Sequence, residues 1–336
     1  MERVRVGGRF YSDPDVVALI RASGGLADPR SLVLNQAGKL NEQYRLFDST
    51  GVAPFARLVQ MASLKGLEVL AMDTERRRNE NRDAVILMNG KSKGKKGQIF
   101  YNPDRPSGRV AFSIAHEISH TFFPTTSGGA RFREMCDSDS REANELERLC
   151  DLGASELLMP REEFQTEVGR EWSATRIPRL VQRFGGSFEA TLFRLASAHP
   201  GTAAAGLLKF RRRKEEQRAI ERMQVVVGQS SLFSVRTHIT SEIPEPKYRR
   251  QSFHMSDHFP DHFVVRWNKS FDTDSIVCKV AEARGVLTAD ESLPSDSEPE
   301  GRLEAVVAPY QRDDADPDHP DVLFFWISKS KSQERI

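Results

Sequence analysis

The sequence predicts an α+β protein, and three observations carry that reading. Short apolar runs, LEVLAM at 67–72 and AVILM at 84–88, alternate with polar loops; a helical stripe with three- and four-residue spacing starts at Arg109; after His199, Pro200 and Gly201 the chain turns to short β-like runs. The expected organisation is an N-terminal extension over 1–50, a domain with a small sheet and helices over 51–202, and a β-rich α/β domain over 203–336.

A chain of 336 residues exceeds what one ordinary core takes, which supports more than one domain. Apolar residues make up 38% and charged residues 29%, enough for globular cores and against a membrane protein. No run approaches 18 apolar residues, and MERVRVGGRFYSD has no apolar signal core, so a cytosolic protein without membrane attachment is expected. Three scattered cysteines, Cys136, Cys150 and Cys278, do not make a disulfide framework and fit a reducing compartment. The net charge of +1 gives no global attraction to nucleic acid, so any such binding must come from local patches.

Residues 13–21 carry helical spacing after Ser12, Asp13 and Pro14, and 53–65 read as a helix with Pro54 in its first turn and Gly66 at its end. The runs at 67–72 and 84–88 are strand-like, and GKSKGKKG (90–97) leads into QIFYNP (98–103) as a hairpin. A helical stripe follows: Val110, Ala111, Ile114, Ala115, Ile118 and Phe122, stopped by Pro124 and Gly128-Gly129. A second helix is expected over about 141–158, closed by Pro160, and two more over 162–197 with an apolar face near 188–196 that includes Arg194. Beyond 203 the strand candidates are LLKF, LFSV, HFVVRW, IVCKV, LEAVV and VLFFWI, and the tail KSKSQERI is a frayed end.

Within the stripe, FSIAHEISHTFF sets His116 and His120 four positions apart around Glu117. On a helix of 3.6 residues per turn both imidazoles then lie on one face, about a turn apart, which is the bite a zinc ion needs. Glu117 sits at the edge of that face, where it can take a proton from an attacking water and hand it to a leaving amine. The H-E-x-x-H string is a tool for hydrolysis; the bland reading is a core helix whose histidines are satisfied by backbone or carboxylates. Catalytic zinc commonly has three protein ligands and an open position. The next helix offers Glu142, Glu145 and Glu147, and spacing alone does not choose among them. Glu147 and Asp151 are again four apart, so one of the pair could bind zinc while the other supports a ligand histidine.

AHEISH, followed by a helix ending E-x-x-C-D-x-x-A-x-x-LLMP, resembles the ImmA/IrrE family of metallopeptidases, and Arg109 and Phe112 match that family's R-x-x-F lead-in. The resemblance covers about 55–200. Anchored on Leu157, Leu158, Met159 and Pro160, it places the third zinc ligand at Glu147 and an acidic residue behind a ligand histidine at Asp151. The sequence departs from the family pattern at Ser119, where glycine is usual, at Cys150, where alanine is usual, and at Gly153, where phenylalanine is usual. The resemblance implies a gluzincin-like zinc peptidase domain and an edge strand, locally QIFYNP, that pairs with the substrate backbone. It also implies a substrate that is a helix-turn-helix repressor in stress or phage-defence switches, and a C-terminal domain that senses a signal.

Other features have two readings. Cys136, in FREMCDSDS, is either a loop thiol or a fourth zinc ligand that holds the enzyme inactive. His254, His258 and His262 repeat every four residues, but Pro260 breaks the helix a second metal site would need. Cys150 and Cys278 sit in apolar settings and read as small packed hydrophobes. GKSKGKKG and FRRRKEEQR are solvated basic faces or phosphate contacts that let nucleic acid act as an activating signal. Tyr101 and Arg109 are the nearby candidates for holding an oxyanion. The competing class is a zinc-containing DNA-binding or signal-sensing regulator without effective proteolysis.

Overall fold

The computed structural model describes residues 3–45, 54–73, 83–88, 97–124, 130–132, 143–230, 245–259, 269–283, 285–294, 300–309 and 318–329. Its contacts divide the chain into two compact units, Met1–Gly169 with Pro178–Ala190, and Arg170–Ile177 with Thr191–Ile336. Among the described residues no helix is long and apolar enough to cross a membrane.

The first unit opens with a hairpin of β1 (Val4–Val6) and β2 (Arg9–Tyr11), turned by Gly7 and Gly8 at φ +55° and +83°. Two successive positive φ values favour glycine and match the twist of a two-residue hairpin. Helix α1 (Pro14–Ala22) starts at Asp13, whose carboxylate accepts the N–H groups of Asp15 and Val16. Helix α2 (Pro29–Arg45) was not foreseen: Val33, Ala37, Leu40 and Tyr44 form its buried stripe, but Asn35, Gly38 and the buried Asn41 interrupt it. Asn41 is used structurally, since its side-chain amide donates to the carbonyl of Glu156 at 3.1 Å. Helix α3 (Pro54–Leu64) follows the predicted span and ends before Gly66, at φ +77°.

A four-stranded sheet has the order β3-β5-β4-β6, from β3 (Leu67–Ala71), β4 (Ala84–Met88), β5 (Gly97–Tyr101) and β6 (Ala130–Phe132). The expected β4–β5 pairing is antiparallel with Ala84 opposite Tyr101, whereas β3 joins β5 in parallel. This corrects one expectation. QIFYNP is an interior strand, hydrogen-bonded on both sides, and has no free edge for a substrate; among the described strands the edges are β3 and β6.

The motif helix α4 (Ser107–Ser119) passes into a 3₁₀ turn at His120–Phe122. Helix α5 (Ala143–Leu158) packs on it and also on α2. Their close approach explains two of the departures from the family pattern. A Cβ added to Gly153 would lie 2.6 Å from Ser119 Oγ, 3.0 Å from Ser119 Cβ and 3.1 Å from Val33 Cγ1. The serine replaces a usual glycine and the glycine a usual phenylalanine, so bulk is exchanged across one contact. Helices α6 (Arg161–Val168), α7 (Ile177–Phe184) and α8 (Phe188–Ala198) complete the helical run.

The second unit is a five-stranded antiparallel sheet ordered β8-β7-β11-β10-β9, from β7 (Ala203–Arg211), β8 (Lys247–Met255), β9 (Val286–Ser292), β10 (Glu300–Val307) and β11 (Val322–Ser328). LLKF, LEAVV and VLFFWI fall in strands, but IVCKV does not: it opens helix α10 (Ile276–Ala283). Ile276, Val277, Val280 and Ala281 bury one helical face against Leu303, Phe324 and Trp326, and Glu291 caps the start by accepting from Ile276 N–H at 2.7 Å and Ser275 Oγ at 2.5 Å. LFSV and HFVVRW lie outside the described residues. Helix α9 (Lys214–Ser230) follows β7. Residues 170–177 attach to this sheet through the buried Glu304, which accepts from Ser173 Oγ at 2.8 Å and Ala174 N–H at 2.7 Å.

The Ser119–Gly153 contact yields a direct test. Gly153→Ala should cost about 1–3 kcal/mol of unfolding free energy by overpacking, and adding Ser119→Gly should restore part of it. Denaturation midpoints of the two single variants and the pair would show this coupling; strictly additive losses would refute it.

Candidate metal centre

The centre is built from α4 outward. Val110, Ala111, Ile114, Ala115 and Ile118 are buried and fix the helix in the core, which leaves Ser113, His116, Glu117 and Ser119 no solvent to turn to. His116 and Glu117 are fully buried and His120 is 4% exposed. Although His120 begins the 3₁₀ turn, its N–H still bonds to the His116 carbonyl, so the one-turn spacing survives. The two imidazoles lie with ring centroids 5.0 Å apart at 72°.

Helix α5 supplies the facing groups. Glu147 Oε2 is 3.1 Å from His116 Nε2 and Glu147 Oε1 is 3.8 Å from His120 Nε2, so one carboxylate spans both rings. Asp151 Oδ1 lies 2.8 Å from His116 Nδ1, and Cys150 Sγ lies 3.4 Å from His120 Nδ1. Glu145 turns away and accepts from the backbone N–H groups of Ser12 at 2.9 Å and Asp13 at 3.1 Å. Glu142 and Cys136 lie outside the described residues.

Two overlapping donor sets share the histidines. One donor atom each from His116, His120 and Cys150 lie within 4.8 Å of one another, and all three residues are buried. The other set replaces Cys150 with Glu147. Sulfur and carboxylate meet opposite nitrogens of the His120 ring, so a single ion on Nε2 takes the carboxylate and not the sulfur. Glu147 is also the group that faces Nε2 of both histidines. Two imidazole nitrogens and a carboxylate, with Asp151 behind one ring, are a donor set that fits a divalent ion.

The charge distribution agrees. Burial alone would push the His116 imidazolium toward deprotonation, but hydrogen bonds to Asp151 and Glu147, with the charges of Asp151 and Glu117, outweigh it and carry its pKa from the ordinary 6.5 to about 9. The carboxylates thus create a place that favours a cation, and a proton occupies it when nothing else does.

Other sequence candidates are placed elsewhere. The Arg109 guanidinium pairs with Asp83, which also holds Arg105 at 2.9 Å, and Tyr101 packs edge-on against Phe55. Neither is brought to the histidines by a contact described here. His254 lies on β8 and stacks on Phe193 at 5.5 Å, while His262 is outside the described residues, so the helix required for a second metal site is absent at His254. Cys150, read from sequence as a packed hydrophobe, is fully buried in the core and is also a neighbour of His120. The signal was its position: residues 147, 150 and 151 share one face of α5.

Residues 63–196 match the family model described as the IrrE N-terminal-like domain, a model of M78 peptidases. The matched segment holds both histidines, Glu117 and the three facing side chains of α5. No curated protein matches the chain. A solved structure of a Mycobacterium tuberculosis transcriptional regulator is similar at 13% identity and a TM-score of 0.47, over 89% of this chain and 79% of that one.

A raised pKa in the folded state stabilises the fold at pH values below the ordinary 6.5, and that contribution disappears as pH rises through about 9. Metal-free protein should therefore lose on the order of 3 kcal/mol of stability from this group between those limits. His116→Leu should flatten that part of the curve; an unchanged pH dependence of its melting would contradict the assignment.

Proposed function

Because residues 63–196 are an IrrE N-terminal-like domain and belong to the ImmA/IrrE family, we propose that the protein is a cytosolic zinc-dependent endopeptidase with a gluzincin-like catalytic domain. Its substrate is a helix-turn-helix transcriptional repressor, whose cleavage switches on a stress or phage-defence response. The observation that carries this reading is the single carboxylate of Glu147 facing Nε2 of both His116 and His120, with Asp151 on the far nitrogen of the first ring.

In this reading His116, His120 and Glu147 hold the ion. Asp151 accepts the Nδ1–H of His116, which fixes the tautomer that offers Nε2. A zinc ion held there would supply Lewis acidity toward a peptide carbonyl and toward water. Glu117, next to His116 and buried, takes the proton released by the attacking water and returns it to the departing amine. The proton balance closes on one residue. Substrate and pathway rest on the family resemblance.

A regulator that binds nucleic acid is the second reading, favoured by one surface of the second unit. Arg211, Arg212, Lys214, Gln217, Arg218 and Glu221 line an open groove of about 350 Å³. The β7–β8 register sets Lys247 opposite Arg211 beside this groove, whereas Arg249 is buried, donates to the Arg211 carbonyl and stays out of the patch. Such a patch would bind the phosphate backbone without base preference, as an activating signal in a peptidase or as the main activity of a regulator.

Two measurements decide these points. Glu117→Ala should retain zinc and lose about 10²–10⁴-fold in cleavage of a helix-turn-helix repressor substrate. Equal cleavage by wild type and variant would end the peptidase reading. For the basic groove, Arg212→Glu with Arg218→Glu should weaken nucleic-acid binding and flatten its salt dependence; binding that is indifferent to both salt and charge reversal would remove nucleic acid as a partner.

A further inference from the structure

Each histidine of the centre has a partner on its far ring nitrogen, and the two partners are consecutive residues of α5. Asp151 meets Nδ1 of His116 at 2.8 Å, and Cys150 meets Nδ1 of His120 at 3.4 Å. The arrangement follows from two helical spacings in register. His116 and His120 lie one turn apart on α4, while Glu147, Cys150 and Asp151 lie at i, i+3 and i+4 on α5 and present one face to them.

We infer that Cys150 is the positioning residue for His120, its sulfur accepting the Nδ1–H and so fixing the ring with Nε2 turned toward Glu147. This rests on the reading of His116, His120 and Glu147 as the ligands. An imidazole that gives one nitrogen to an ion carries its proton on the other, and that N–H needs an acceptor when water is excluded. Water is excluded here: Cys150 is fully buried and His120 is 4% exposed. A sulfur atom at 3.4 Å is within hydrogen-bonding reach and is the group found at that nitrogen. Alanine, usual at this position in the family, has no acceptor to offer, and here the thiol supplies one.

The consequence is an inequality between the ligands. His116 is held by a carboxylate, a strong charged acceptor, and His120 by a soft and weaker one. The same sulfur belongs to the buried His116–His120–Cys150 group, so the rival assignment is that it touches the ion directly. In that case sulfur would be a ligand and not a support, and the two cases differ in their spectra.

The test uses the full chain with zinc, and with cobalt(II) in its place. Wild type, Cys150→Ala and Cys150→Ser are each titrated with zinc against a chromophoric chelator, and the cobalt forms are examined by absorption. Alanine is the residue usual at this position in the family, and near-ultraviolet circular dichroism verifies that the variants fold. Cys150→Ala should bind zinc about 10–100-fold more weakly, Cys150→Ser should recover part of the loss, and the visible cobalt bands should shift in the alanine variant. Equal affinities and identical cobalt bands overturn the inference while leaving the metal centre intact. A sulfur-to-cobalt charge-transfer band in wild type that is lost in Cys150→Ala also overturns it, by making the sulfur a ligand. Wild-type protein that takes up neither ion removes the peptidase reading and this inference with it.

Discussion

The packing of α5 against α4 is the constraint on which the rest of the centre depends. Neither helix contains a site by itself. The first carries two imidazoles a turn apart and the second carries a carboxylate, a thiol and another carboxylate on one face; only their close approach brings the groups within 2.8–3.8 Å of one another. That approach is set by small residues and exchanged bulk, with Gly153 admitting the Ser119 side chain. Packing of this kind leaves little room for adjustment, because protein interiors are as dense as organic crystals.

Burial of His116, Glu117 and His120 gives the facing carboxylates their chemical force, although Asp151 itself is half-exposed. In a medium of low effective dielectric a carboxylate near an imidazole weighs more than it would in water. Hence the net effect at His116 is upward, despite a desolvation penalty that by itself pulls the other way. A site so arranged favours a cation before any ligand arrives. The cost of assembling Glu117, Glu147 and Asp151 beside two histidines is met by the apolar stripe of α4, which buries Val110, Ile114 and Ile118 in the same stroke.

The sequence made some of this plain. His116, Glu117 and His120 were legible because their spacing and the helix period are both local, and the stripe around them fixed the secondary structure. The third facing group was not legible from spacing. Glu145 and Glu147 are two residues apart, about 200° around a helix axis, so they face opposite sides; the structure sends the first to the N-terminal segment and the second to the histidines. The role of Cys150 required the neighbouring helix. IVCKV misled because a short run with four apolar residues out of five suits a strand as well as a helix, and Ser275 with Glu291, sixteen residues apart, decided it. The edge strands β8 and β9 escaped notice because polar residues also occupy their inward positions, Arg249 in β8 and Glu291 in β9, and Val286 faces out, so apolar and polar residues do not alternate. The interior position of β5 depended on pairing with β3, a parallel partner thirty residues earlier that local patterning does not register.

The carboxylate of Glu145 gives the opening segment an unexpected standing. By accepting from Ser12 and Asp13 it fastens the start of α1 to the helix that bears Glu147, while Asn41 of α2 ties to the far end of that helix and Val33 reaches the Ser119–Gly153 contact. The segment that matches the family model begins at residue 63, yet the wall behind it comes from residues before 45. A fragment cut at that border would leave α5 with its rear surface bare and its tether gone, so the geometry of the centre is partly the property of a segment that carries none of its polar groups.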